Sequence, residues 1–83
     1  MLVGFIFHIM RVSELFRLPL QLNSAAIIVA HNHPSGSVVA SSEDIEVTRR
    51  LIQAGELLEI EVLDHLIIGK GSWMSMREQG LGW

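Results

Sequence analysis

The sequence predicts an α/β domain in which helices pack on a layered sheet. Two apolar runs, at residues 25–31 and 60–69, are expected to be strands, and the first is rich in the β-branched residues that buried strands favour. Between them, apolar side chains over 45–58 recur at helical spacing. An alternation of strands and helices along the chain is typical of layered α/β domains.

The chain opens with a further apolar run, MLVGFIFHIM at residues 1–10, which we interpret as a first strand covered on both faces. It differs from a signal peptide, because no basic region precedes it and no small-residue cleavage site follows it. Ser13 is expected to cap a short helix that carries Glu14 in its first turn. Pro19 is expected to kink or end this helix, because proline lacks the amide hydrogen that a helix needs.

The run 25–31 is expected to be a buried central strand. Ser41 and Ser42 precede the second predicted helix, and Gly55 is expected to interrupt or end that helix. After the strand at 60–69, a short strand or an irregular tail completes the chain. We interpret residues 1–83 as one domain.

Composition restricts the function classes. The 83 residues are 49% apolar and 18% charged, so a packed core is expected and disorder is not. The net charge of −3 with no basic cluster gives no support to nucleic-acid binding, and no run is long enough to cross a membrane. The chain has no cysteine, so any metal must be held by His, Asp or Glu. A cytoplasmic location is expected.

Residues 31–44, HNHPSGSVVASSED, carry a possible metal site. His31 and His33 are two positions apart at the end of a predicted strand, so their imidazoles can point to the same side. Asp44 falls in the first turn of the next predicted helix, where the helix dipole favours a carboxylate. Two imidazoles and one carboxylate leave a tetrahedral zinc with an open position, as in catalytic zinc sites.

A structural alternative explains part of the same segment. Ser41 and Asp44 have the spacing of a capping box, in which each side chain bonds the backbone amide of the other. On that interpretation Asp44 needs no metal. The cap accounts only for residues 41–44, however, and leaves the two histidines unexplained, so both interpretations stay open.

HNHPSG followed by Ser41-x-x-Asp44 resembles the JAMM zinc-hydrolase motif of the JAB/MPN fold, which reads H-x-H, seven residues, S-x-x-D. The words ELF, LNSAAIIVAHNHPSG, SSEDIEVTRRLIQAGELLEIEVLDHLIIG and SMREQGLGW resemble the RadC-like branch of that fold over about residues 11–83. The resemblance implies a deaminase-like α/β sheet with helices packed on it, one Zn2+ ion, and hydrolysis of peptide or isopeptide bonds.

The resemblance also implies roles for particular residues. His31, His33 and Asp44 match the zinc ligands, and Ser41 matches the residue that helps to hold the oxyanion. Active relatives use a glutamate as general base, on a strand before the first helix. Residues 1–11 contain no Asp or Glu, and Glu14 does not align with that base. We therefore expect a domain truncated at its N-terminus.

Several other residues have a structural explanation beside a possible functional one. Asp64 and His65 are expected to point to opposite faces of their strand, with His65 either hydrogen-bonded to a zinc ligand or satisfied in the core. Glu43 is either a makeshift base or a carboxylate that complements the helix dipole. Trp73, Met74, Met76 and Trp83 are expected in the core or on a partner-facing surface.

Three hypotheses follow for function. The first is a zinc metallopeptidase-like hydrolase of a peptide or protein substrate, slow because its glutamate is missing. The second is an inactive interaction module, for which an exposed sheet edge also permits a homo-oligomer. The third is a DNA-repair role, historically attached to the RadC name, which the acidic balance of the chain does not support.

Overall fold

The computed structural model describes residues 11–83, so the strand predicted over 1–10, with His8, lies outside the described residues. The described part contains α1 (Val12–Gln21), β1 (Ala26–Asn32), α2 (Ser42–Leu58), β2 (Glu61–Ile68) and β3 (Trp73–Ser75). β1 pairs with β2 in parallel, and β3 pairs with β2 antiparallel. This mixed sheet with two helices confirms the α/β class.

The middle strand of the described sheet is β2, because the strand order is β1-β2-β3. Within residues 11–83, β1 pairs with β2 alone, and the prediction that 25–31 forms a central strand stays a prediction, because the strand predicted over 1–10 lies outside the described residues. The tail forms a short strand, β3, followed by turns. Within residues 11–83, neither helix is both long and apolar enough to cross a bilayer.

Helix α1 differs from its prediction at both ends. Its N-cap is Arg11, which makes no side-chain capping bond, and Ser13 lies inside the helix. The helix also continues past Pro19 to Gln21. Pro19 is buried with Leu15 and Phe16, so its ring adds to the packed face while its missing amide costs one hydrogen bond close to the helix end.

Helix α2 starts as predicted, with Ser41 as its N-cap, but it is not interrupted at Gly55. It ends at Leu58, where Glu59 adopts a left-handed backbone conformation with φ of 58°. Gly55 is buried against the start of β2. A Cβ at this position would collide with the Ile60 carbonyl oxygen and approach Val62 Cγ2 to 3.2 Å. The glycine therefore permits close packing of helix on strand and does not end the helix.

The core lies between the helices and one face of the sheet. Residues of β1 alternate between the two faces, and its core-facing positions are Ile27, Val29 and His31. Seven buried side chains form the main apolar cluster: Leu15, Phe16, Ile27, Val29, Leu51, Ile60 and Val62. His31 thus continues the apolar face of β1 to the end of the strand, where the core gives way to polar groups.

A bulge in β2 changes which side chains face this core. Ile27 pairs with Val62, but Ile28 pairs with Asp64, so Leu63 is an extra residue in β2. A simple alternation from Val62 would turn Asp64 inward. The extra residue shifts the alternation by one, and His65 is buried on the core face in its place.

Candidate metal centre

Three predicted ligands converge where β1 ends and α2 begins. His31 is the penultimate residue of β1, His33 directly follows that strand, and Asp44 lies in the first turn of α2. His31 Nδ1 is 3.0 Å from Asp44 Oδ1, and His33 Nε2 is 3.1 Å from Asp44 Oδ2. One ligand atom from each residue lies within 4.8 Å of the others, so this group could hold a metal ion.

The distances fit one small cation. Two ligands of a tetrahedral zinc, each bonded at about 2.0–2.1 Å, lie about 3.3 Å apart. The nitrogen–oxygen distances of 3.0 and 3.1 Å, which run to the two different oxygens of Asp44, are a little shorter than this value. The rings of His31 and His33 stand edge to face, with centroids 4.6 Å apart and planes at 88°, which lets both approach the carboxylate.

Hydrogen bonding constrains the tautomer of His33. Its Nδ1 lies 3.0 Å from the Ser37 carbonyl oxygen, which accepts hydrogen bonds only, so Nδ1 carries the proton. In a neutral ring, Nε2 then presents a lone pair to the Asp44 carboxylate. Two electron-rich atoms at 3.1 Å repel each other unless the ring is protonated or a cation binds both. The arrangement is therefore suited to a cation.

Asp44 also completes the capping box of α2. The Ser41 amide donates to Asp44 Oδ2 at 2.7 Å, and the Asp44 amide donates to Ser41 Oγ at 3.0 Å. The cap and the ligand group are therefore compatible, and the two sequence interpretations are not alternatives. The cap instead orients the carboxylate toward the histidines.

The carboxyl of Asp44 is held in its ionised form. Burial raises its pKa, but the hydrogen bonds of Ser41 and the electrostatic interactions with His31 and His33 lower it by more, so the pKa lies below its ordinary value. An ionised carboxylate is the form that ligates a metal.

Ser41 is the predicted oxyanion residue, and it is exposed beside the ligand group. Its hydroxyl oxygen accepts from the Asp44 amide, so its own hydrogen can be donated, either to the carboxylate or to a substrate oxygen. The position fits the predicted role without testing it.

The structure adds two residues that the sequence interpretation did not select. Ser37 orients His33 through its backbone carbonyl, and Thr48 is fully buried beneath the ligand group. Thr48 follows Asp44 by one helical turn, a signal that would have placed it near the site. As a polar residue among the buried positions of α2, it otherwise resembles a packing residue.

His65 is buried in the core, where one of the two predictions places it. The ring is fully buried, its Nδ1 lies 2.7 Å from Thr48 Oγ1, and it stacks on His31 with centroids 5.9 Å apart. Burial, followed by the charge of His31, lowers the pKa of His65 to about 4, so the ring is neutral near pH 7.

The other residues singled out from the sequence are divided between the surface and the interior. Glu14 and Glu43 are exposed on the first turns of their helices. Met76 is fully buried, whereas Trp73 is 64% exposed.

Comparison with known proteins gives one consistent family. Residues 6–81 match the RadC-like JAB domain. The UPF0758 protein of Roseiflexus sp. (strain RS-1) is 61% identical over 72 residues, which cover 87% of this chain and 31% of that protein. A UPF0758 protein of Chloroflexus aurantiacus is 62% identical with the same coverage, and one of Moorella thermoacetica is 59% identical over 68 residues, or 82% of this chain and 30% of that protein.

The chain therefore spans about a third of the length of these relatives, whose names state no activity. The family match covers most of the chain and includes both helices, all three described strands and the His31, His33 and Asp44 group. The chain belongs to the RadC-like JAB domain family.

Proposed function

We propose that this domain binds one zinc ion through His31, His33 and Asp44 and hydrolyses peptide or isopeptide bonds at that centre. The observation that supports the proposal most is the convergence of three ligand atoms, with one carboxylate between two imidazoles. Zinc bound there would polarise a substrate carbonyl and supply an activated water. The JAMM resemblance supplies the substrate class.

The residues around the ligand group have distinct tasks in this proposal. The hydroxyl of Ser41 donates to the oxyanion that forms when the carbonyl is attacked. The capping box keeps the Asp44 carboxylate in place, and the Ser37 carbonyl keeps the Nε2 lone pair of His33 toward it. Both contacts direct ligand atoms toward the same point, as a preorganised site requires.

Proton transfer is the weak step of the proposal. Residues 1–11 contain no acidic side chain, and the acidic residues Glu14 and Glu43 are exposed. A positioned general acid–base contributes typically about 10²–10⁴-fold to a rate. We therefore expect slow hydrolysis from the 83-residue chain.

Metal content tests the ligand assignment directly. Purified protein should contain about one zinc per chain, and His31→Ala or Asp44→Ala should each remove most of it. Glu43→Gln is the matched control, because it alters an exposed carboxylate next to Asp44 in the same helical turn. Full zinc occupancy in both ligand variants, measured by elemental analysis, would contradict the assignment.

Turnover tests the hydrolase itself. The 83-residue chain is compared with a chain extended by a family-like strand that carries glutamate, each with and without His33→Ala. The extended chain should be faster by about 10²–10⁴-fold, and its rate should depend on His33. Equal inactivity of both chains with zinc bound would instead favour an interaction module.

A further inference from the structure

A buried polar pair, Thr48 and His65, lies directly beneath the candidate metal centre. Neither side chain has any exposed surface. Thr48 Oγ1 donates to the Asp44 carbonyl oxygen at 2.7 Å and lies 2.7 Å from His65 Nδ1. His65 in turn stacks on His31, with ring planes inclined by 27°. The pair therefore touches the backbone of one candidate ligand and the ring of another.

The hydrogen count at Thr48 determines the orientation of His65. A hydroxyl has one hydrogen, and the Asp44 carbonyl oxygen at 2.7 Å, which can only accept, takes it in preference to the Met76 sulfur at 3.5 Å. The contact with His65 must then run the other way, with Nδ1–H of the ring as donor and Thr48 Oγ1 as acceptor. This bond selects one tautomer and sets the plane of the ring that lies against His31.

Hydrogen bonds of the Asp64 and Arg77 side chains stabilise the bulge that turns His65 inward. Asp64 Oδ1 accepts from the His65 amide at 2.7 Å, and Asp64 Oδ2 accepts from the Ser75 hydroxyl at 2.6 Å. Arg77 Nη1 donates to the carbonyl of the extra residue, Leu63, at 2.9 Å. Bulges in parallel pairs are uncommon and often redirect a side chain next to a functional site.

We infer that Thr48 and His65 are positioning residues for the metal centre, with Thr48 holding the first turn of α2 and His65 supporting the ring of His31. The inference rests on the proposed metal site, since positioning has no meaning without it. The competing account is purely structural, because a threonine hydroxyl often bonds the carbonyl one helical turn earlier. That account predicts lost stability with unchanged metal affinity.

Titration of the metal-free chain with Co2+, followed by its visible absorption and checked with Zn2+, separates the two accounts. Thr48→Val replaces the hydroxyl with a methyl group of similar size and should weaken binding about 10–100-fold, the usual effect of removing a partner of a metal ligand. It should also change the Co2+ spectrum. Thr48→Ser restores the hydroxyl and should restore both the affinity and the spectrum.

Val62→Ala is the control for a general loss of stability. Val62 is buried on the same strand face as His65, and its partner Ile27 lies four residues before His31, roughly 13 Å along the strand. This variant should melt at a lower temperature and bind Co2+ normally. Wild-type Co2+ affinity in Thr48→Val, or equal weakening in Val62→Ala, would overturn the inference.

A second pair of variants serves if Thr48→Val does not fold. His65→Asn keeps an N–H near the position of Nδ1, whereas His65→Leu keeps the volume without a donor. The leucine variant should bind Co2+ more weakly than the asparagine variant, and equal, wild-type affinities would overturn the inference.

If Co2+ binding survives His31→Ala, the proposed site itself fails. If binding depends on His31 but not on Thr48 or His65, only the positioning role fails.

Discussion

At the scale of single residues, one hydroxyl and one carboxylate at the start of α2 serve both folding and the candidate site. Ser41 and Asp44 form the capping box, and the same Asp44 oxygen that accepts from the Ser41 amide lies 3.1 Å from His33. A substitution here therefore affects stability and chemistry together, and two variants are needed to separate the effects.

Ser41→Ala and Ser41→Gly provide that separation. Loss of the cap in the alanine variant should lower the free energy of unfolding by about 1 kcal/mol, whereas glycine at an N-cap costs only a few tenths. Neither variant has a hydroxyl, so any hydrolysis should fall in both by a similar factor, on the order of 10²–10³. Urea unfolding and turnover are the two measurements. Equal stability losses would show that the cap contributes little.

His65 predicts a pH dependence of stability in the metal-free chain. The folded pKa is about 4 against an ordinary value of 6.5, so the unfolded chain takes up the proton first as the pH falls. The contribution of the neutral ring to the free energy of unfolding is complete above pH 6.5. It is lost as the pH falls toward about 4, and the total loss is up to about 3 kcal/mol.

This pH dependence is measured by urea unfolding in chelator between pH 7 and pH 4, with His65→Asn as the reference. The wild-type chain should lose more stability with acid than the variant does. Parallel curves would show that protonation of His65 does not cause the loss of stability in acid.

At the scale of elements, the contact between α2 and the start of β2 depends on one missing side chain. Ala usually replaces Gly in a helix with a gain of about 1 kcal/mol. Gly55→Ala should instead destabilise the domain, because the added Cβ meets the Ile60 carbonyl oxygen and Val62. A loss of about 1–3 kcal/mol is expected, as for other overpacked sites.

Gln53→Ala is the control for this substitution, because Gln53 is exposed on the same helix. It should leave the melting temperature almost unchanged, whereas Gly55→Ala lowers it. A stabilised Gly55→Ala variant would show that the helix and the strand can separate without cost.

At the scale of the whole molecule, the ligand group joins two elements that the chain connects only through the loop of residues 33–41. His31 belongs to β1 and Asp44 to α2, so a metal ion bound to both would link the sheet to its longer helix. A small domain gains stability from such a link, because its apolar core alone is limited.

Removal of metal should therefore lower the melting temperature. Zinc at 100 times its dissociation constant adds about 2.7 kcal/mol. For a domain of this size that corresponds to roughly 10–20 °C. Thermal melts with zinc and with a chelator make the comparison, and His31→Ala should show no difference between them. An unchanged wild-type melt would indicate that the capping box alone organises this segment.

Local chemistry determined much of this protein at the level of the sequence. The spacing of His31 and His33, the capping box at Ser41 and the apolar runs of β1 and β2 each depend on residues close together in the chain, so they could be predicted from it. The α1 cap was predicted wrongly, because Arg11 begins the helix without a side-chain bond and nothing in the sequence marks it.

Tertiary packing decided the rest. The extra residue Leu63 in β2 determines that His65, and not Asp64, faces the core, and strand alternation alone cannot reveal a shift of register. Gly55 resembles a helix breaker until the backbone of Ile60 is seen against it. The contact of Thr48 with His65 joins a helix to a strand 17 positions away along the chain, so it exists only once both pack on the same core.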